Sequence, residues 1–316
     1  MPRRGGPGAE PRQGGSSRQR WKSGRRAPLP FPLRPPHPPG RPGRVTTRII
    51  FNADDLGLAA PVNAAIEAAH REGVLTAASL MLGEPATAEG VEVARRNPRL
   101  AVGLHLTLTD GTPCLPPERI PALVRPDGRF RDDMAGLGLA LAASPAARAQ
   151  LRAEIAAQFA AFRATGLACD HLNAHKHYHL HPVIAAIAFA EAARHGVRAV
   201  RIPWEPPALV PGAGRALLPM ILLLRRLAAR HGLRAPDRVV GLRWSGAFTA
   251  DRLAAVLPRL PSGVTEIYLH PATAGGFPGA APGYRYAEEL AALTDPRVRA
   301  AAARHATGGY AGMLGA

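Results

Sequence analysis

The chain has 316 residues, an apolar fraction of 47% and a formal net charge of +17, a length that suits one large α/β domain or two small ones. The charge is uneven, because eleven of the 40 Lys and Arg fall within residues 1–44 against a single acid, Glu10. Cys114 and Cys169 are the only cysteines, which excludes a disulfide scaffold or a zinc ribbon and fits a reducing cytoplasm.

Residues 1–45 read as a disordered Pro/Arg/Gly-rich tail, with too few apolar side chains to offset the entropy of ordering it. The tail has no apolar core of a secretory signal. Three uses stay open for it: a solvated arm, a translation start assigned too far upstream with Val45 as the true one, or a basic arm for an anionic surface. The longest apolar stretch, LLPMILLL at 217–224, is far short of the roughly 20 residues of a membrane-crossing helix.

From Thr47 onward, short apolar runs alternate with helical periodicity. RIIFN (48–52) predicts a buried strand, ADDLG a turn, and Pro61 the first turn of a helix that ends at Gly73. LTAASLML (75–82) predicts a strand, 87–97 a helix and LAVGLHLTL (101–109) a strand. Leu151, Ile155, Phe159 and Phe162 mark a helix over 147–164. CDHLN begins the next strand, and Pro182 opens a helix through His195. VRAVRIP (197–203) predicts a strand, 214–231 a helix and VTEIYLHP (264–271) a late strand. Strands separated by helices pair in parallel. The fold class expected is α/β, a distorted (β/α) barrel of mainly parallel strands over 46–316.

Ligands in such folds sit at the carboxyl ends of the strands. The polar residues there are Asn52, Asp54 and Asp55, then His105 and Thr107, then Asn173, His175 and His177, then Arg201, and finally His270. Adjacent Asp54 and Asp55 fit a turn with a helix cap, and equally a carboxylate pair stabilised by a cation. His105, alone in an apolar strand, reads by itself as a satisfied core histidine, with a ligand as the alternative. Three polar groups at three strand ends nevertheless suggest one shared site.

HLNAHKHYHLHP (171–182) places five histidines at odd positions, which in a continuous strand would share one face. Same-face neighbours lie about 6–7 Å apart along a strand, whereas metal–nitrogen bonds are about 2.0–2.1 Å. One ion therefore reaches at most two of them unless the backbone bends. One carboxylate with two histidines suits a hydrolytic divalent-metal centre, and imidazole favours zinc or a related ion over magnesium without settling the choice.

In order and spacing, FNADDLGLAAPVNAAI, GLHLTLTDGTP, HLNAHKHYHLHP, VRIP, EIYLHPA and YRYAEELAALTDP resemble the YdjC-like carbohydrate deacetylases. The resemblance implies metal-dependent removal of acetyl groups from N-acetylated sugars. It implies one divalent ion, magnesium or zinc, on Asp55, His105 and His175. Asp54 is implied as general base, and His270 as general acid or substrate contact. Asn52, Asn173, His177 and Arg201 are implied as supporting or substrate-binding residues. The chain departs from the family's HLDSHHHVH at Asn173, Ala174 and Lys176, and Asn173 can accept a hydrogen bond from a ligand histidine but brings no charge.

NAHKHYHLHP, together with an insertion carrying LLPMILLLRRLAAR, resembles the hopanoid-biosynthesis-associated branch. That resemblance implies an N-acetylglucosaminyl hopanoid as substrate. Leucines beside Arg225, Arg226 and Arg230 suit either a membrane interface or a helix buried in the barrel. The expected protein is cytoplasmic, with a peripheral contact at the inner membrane face and a homodimer both compatible and no specific nucleic-acid partner. Soluble chito-oligosaccharides are the alternative substrate. A metal phosphoesterase and a non-enzymatic metal- or lipid-binding protein are the competing classes.

Overall fold

The computed structural model describes residues 47–316. The expectations for the tail and for Val45 lie outside the described residues.

β1 (Thr47–Leu56) leads through a tight turn into α1 (Ala60–Glu72), followed by β2 (Ala77–Leu80), α2 (Thr87–Arg96) and β3 (Ala101–Leu106). Two helices follow, α3 (Met134–Ala143) and α4 (Pro145–Ala164), before β4 (Leu172–Ala174) and α5 (Pro182–Arg194). The second half holds α6 (Leu218–Arg230), β5 (Arg238–Val240), α7 (Ala250–Val256), β6 (Gly263–Leu269), α8 (Tyr286–Thr294), α9 (Pro296–Ala302), β7 (Ala306–Thr307) and α10 (Tyr310–Leu314).

The strands form a curled parallel sheet in the order β4-β3-β2-β1-β6-β5, with β7 joining the start of β1. The expected parallel α/β architecture is therefore present. β1 lies at the centre and is buried from Ile49 to Leu56, as a strand covered on both faces must be. α4 explains its own packing: Ser144 caps its first turn by accepting from the Ala147 N–H at 3.2 Å. Its Leu151, Ile155, Phe159 and Phe162 are all buried, each worth roughly 1.5–3 kcal/mol against exposure.

The expected strand at 197–203 is corrected. It makes only isolated parallel bridges, Val200 to Leu172 and Ala199 to Arg234. Pro203, Pro206 and Pro207 follow and have no N–H with which to continue a ladder. The sheet is thus left with a seam between β4 and β5. The histidine run is also not a continuous strand: β4 stops at Ala174, and His175–Leu180 is a kinked 3₁₀ segment with left-handed Lys176 and His177 (φ 51° and 53°).

Candidate metal and catalytic site

The site forms where β1, β3 and β4 end. β1 slips register between Ala53 and Leu56, and Asp55 adopts φ 68°, a conformation that non-glycine residues adopt at a cost. That irregularity lets two consecutive carboxylates serve one site. Gly57 follows at φ 90°, and a Cβ there would stand 2.9 Å from the Met81 carbonyl oxygen. The Gly57 N–H donates to Asn63 Oδ1 at 2.7 Å, fixing the turn against α1.

Asp55 Oδ1 lies 3.1 Å from His105 Nε2 and 3.0 Å from His175 Nδ1. His105 and Asn173 are register partners on β3 and β4. The other His105 nitrogen, Nδ1, is 2.7 Å from Asn173 Oδ1, an acceptor that requires the proton on Nδ1 and leaves the Nε2 lone pair facing Asp55. His175 swings toward Asp55 as the chain leaves β4.

Burial would raise the Asp55 carboxyl, but the two imidazoles outweigh it and hold Asp55 well below the usual carboxylate range. One ligand atom from each of Asp55, His105 and His175 lies within 4.8 Å of the others, and among the described residues no other such group is present. A mixed set of one carboxylate oxygen and two imidazole nitrogens, all deprotonated or readily so, fits a divalent transition ion.

Asp54, next in the chain, faces a different partner. Arg201 Nη1 donates to its Oδ2 at 2.6 Å and Nη2 to its Oδ1 at 2.8 Å. Asn52 and Asn173 also donate to Oδ1, at 2.8 and 3.2 Å. Burial opposes ionisation here too, but Arg201 outweighs it and Asp54 is held far below its ordinary range. Arg201 is fully buried, donates from Nε to Glu266 at 2.7 Å and lies 4.4 Å over the Tyr268 ring. Arg201 and Asn52 do not line the cavity; they orient Asp54.

His270 follows β6, with Nε2 3.9 Å from Asp54 Oδ2 and Nδ1 3.9 Å from Glu289 Oε2. Glu289 also accepts the backbone N–H groups of Phe248 and His270, so α8 anchors the loop that carries His270. Asp54, Asp55, His105, His175, His177 and His270 all line one cavity of about 460 Å³.

The five histidines of the run have five different environments. His175 joins Asp55. His177 Nε2 meets Tyr268 Oη at 3.0 Å in the cavity wall, and burial, then Arg201, holds its imidazole well below its usual pKa. His179 Nε2 donates to the Arg201 carbonyl at 2.8 Å, and burial lowers its pKa to about 4. His181 precedes α5. His171 stacks on Tyr310, with ring centroids 3.9 Å apart, and bridges Asp170 and Ser79 Oγ at 3.1 and 3.0 Å.

Residues that sequence reasoning did not single out are Ser79, Glu266, Tyr268 and Glu289. Glu266 carried a signal, since an acid inside the apolar run VTEIYL demands a buried cation. Glu289 stood within YAEEL, but only the fold brings it behind His270.

A curled parallel sheet with a carboxylate and two imidazoles converging at its carboxyl edge defines an α/β protein with a candidate site for one divalent ion. The chain belongs to the YdjC-like protein family, whose description matches residues 48–304. It is 32% identical over 251 residues to a carbohydrate deacetylase of Geobacillus stearothermophilus, covering 78% of this chain and 89% of that protein. It is 39% identical over 157 residues to a carbohydrate deacetylase of Brevibacillus brevis, covering half of this chain and 60% of that protein. A crystal structure from Enterococcus faecalis V583, of a proposed cellobiose-phosphate cleavage protein, superposes with a TM-score of 0.71 at 26% identity, covering 85% of this chain and 99% of that one.

Proposed function

We propose that this protein is a divalent-metal-dependent N-deacetylase of an N-acetylglucosamine-containing glycolipid, an N-acetylglucosaminyl hopanoid. One observation carries the chemistry: the Asp55, His105 and His175 donors stand in the same cavity as an ionised Asp54 and an imidazole from the opposite side, His270. The family and its deacetylase relatives support the hydrolase reading.

When bound, the ion supplies Lewis acidity toward the acetamide carbonyl and a field that makes water easier to deprotonate. Asp54 takes the proton of the attacking water. Its Oδ1 already accepts three hydrogen bonds and its Oδ2 one, so Oδ2 is the oxygen with a lone pair to spare. From Oδ2 the proton passes to His270. His270, 3.9 Å away, then protonates the departing amine as the C–N bond breaks, giving acetate and the free amino sugar. Arg201 and Asn52 keep Asp54 in place, Asn173 orients His105, and His177 with Tyr268 shapes the wall.

The lipid part of the reading is supported by α6. Ile221, Leu224 and Ala228 face the core, while Leu217, Leu222 and Leu223 are 54%, 47% and 46% exposed. Arg226 and Arg230 are exposed beside them. Arg225 is not available to a lipid, because it donates to the carbonyls of Pro236 and Asp237. The helix suits a cytoplasmic enzyme resting on the inner membrane face, and among the described residues no helix is long and apolar enough to cross a membrane. A two-ion phosphoesterase needs a second ligand group that the described residues do not offer;.

The test is mass spectrometry of the purified protein with N-acetylglucosaminyl hopanoid and with chitobiose. Loss of one acetyl mass from the hopanoid alone is expected. Loss from chitobiose alone would replace the lipid by a soluble oligosaccharide, and phosphate release from a phosphorylated sugar would replace the reaction.

A further inference from the structure

A second cavity, of about 300 Å³, lies beside the first, and Leu242 lines both. Its other apolar side chains are Leu180, Pro203, Trp204, Ala213, Ala216 and Leu217, and Glu205 and Arg243 are its two charged ones. We infer that this cavity is a subsite for the hydrocarbon aglycone of the sugar whose acetamide enters the metal and catalytic site. The inference rests on the glycolipid reading above and adds where the non-sugar part is held.

Three observations carry it. The partition between the cavities is built to keep its shape. Glu205 accepts the backbone N–H groups of Gly241 and Leu242 through Oε1, at 2.8 and 3.1 Å, and that of Arg243 through Oε2 at 2.9 Å. This clamp holds Leu242 at the boundary and commits both oxygens of the one carboxylate in the wall.

The lining offers few partners for the hydroxyls of a second sugar. A pyranose needs donors and acceptors for each hydroxyl, and a hydroxyl pressed against Leu, Pro and Trp side chains loses its hydrogen bonds to water without replacement. The only other charged group in the wall, Arg243, lies at the rim, where a Cβ on Gly212 would stand 3.3 Å from its Nε. A saturated hydrocarbon has no hydrogen bonds to lose on entering and gains up to about fourfold in affinity per fully buried methylene.

Position supplies the third argument. Leu217, part of the cavity wall, is 54% exposed and stands immediately before α6, the helix that carries the exposed Leu222 and Leu223. The cavity thus reaches from the boundary of the acetamide site to the start of the helix expected to face lipid.

The experiment uses the full chain and a series of β-alkyl N-acetylglucosaminides from methyl to octyl, kept below their micelle concentrations. Two readings are taken: kcat/KM for acetate release relative to the methyl glycoside, and calorimetric binding. The expected ratio climbs by about two- to threefold per methylene and levels off as the cavity fills. In Ala216→Trp, which occupies the cavity from an exposed position, and in Leu217→Asp, the octyl-to-methyl ratio falls at least tenfold. The wild-type series stands as a test even if a variant does not fold.

A wild-type ratio independent of chain length, or a ratio untouched in both variants, overturns the subsite while leaving deacetylation of the methyl glycoside intact. Chain-length-dependent binding that both variants abolish, with no acetate released from any member, supports the subsite and removes the deacetylase reading instead.

Discussion

Asp54 and Arg201 meet end-on, Nη1 and Nη2 each donating to one carboxylate oxygen at 2.6 and 2.8 Å, and the guanidinium is wholly enclosed between that carboxylate and Glu266. Removing the cation leaves two buried carboxylates without a counter-charge, Asp54 keeping only its amide donors Asn52 and Asn173. Arg201→Met is expected to cost about 3–5 kcal/mol of stability, read by urea denaturation. Part of that loss should return in the Arg201→Met, Glu266→Gln double variant, which removes one orphaned charge.

Metal dependence has a stoichiometric test. Elemental analysis of the purified protein should find one divalent ion per chain, and a chelator should abolish acetate release, with activity restored by the ion. Asp55→Asn, His105→Ala and His175→Ala should each lose the ion. Full metal content in either histidine variant contradicts the ligand assignment.

Asp54 and His270 should separate from the ligands in the same assay. Asp54→Asn is expected to retain metal while kcat falls by about 10²–10⁴-fold, the usual worth of a positioned proton-transfer group. His270→Ala should behave likewise. Loss of metal in Asp54→Asn would move this carboxylate into the ligand set.

Asn173 orients His105 through its carbonyl and steadies Asp54 through its amide. Asn173→Ala frees the His105 ring and should weaken metal binding by about 10–100-fold, measured by competition with a coloured chelator. An unchanged affinity would show that packing alone fixes the ring.

Acid should destabilise the fold in a defined window. Burial lowers the His179 pKa from 6.5 to about 4, so between those values the unfolded chain binds a proton that the folded chain excludes. Stability from this group is complete above pH 6.5 and is lost as pH falls toward 4, amounting to on the order of 3 kcal/mol at most. Asp54 and Asp55, with depressed pKa values, add a loss that begins below the unfolded carboxylate range. Urea midpoints measured from pH 7.5 to 4.5 on wild type and His179→Gln should show a shallower slope in the variant.

The parallel α/β class, most helices and the meeting of Asp55 with His105 were legible because each rests on local pattern: strand, turn, helix, and polar residues at strand ends. α4 differs from its expected start by two residues, since Ser144 and Pro145 set a cap that apolar periodicity does not register. The strand at 197–203 failed because its apolar pattern ran into prolines that end pairing. The histidine run was ambiguous because a strand's period assumes an extended backbone, and positive φ at Lys176 and His177 removes that assumption. Glu266 and Glu289 act across the barrel on residues far away in sequence, a relationship that no local window contains.

The seam between β4 and β5, bridged only at Leu172–Val200 and Ala199–Arg234, has a consequence for how this architecture can change. Between Glu205 and Leu233 the chain makes no strand bridge, so residues can be added or removed there without turning any strand's side chains over. The walls next to Leu242 come from this stretch, while Asp55, His105 and His175 come from the paired strands and the turn after β4. Under the proposed function, substrate choice and bond cleavage sit on separately mutable parts of one sheet, and new substrates can be explored by remodelling the seam with the reaction left in place.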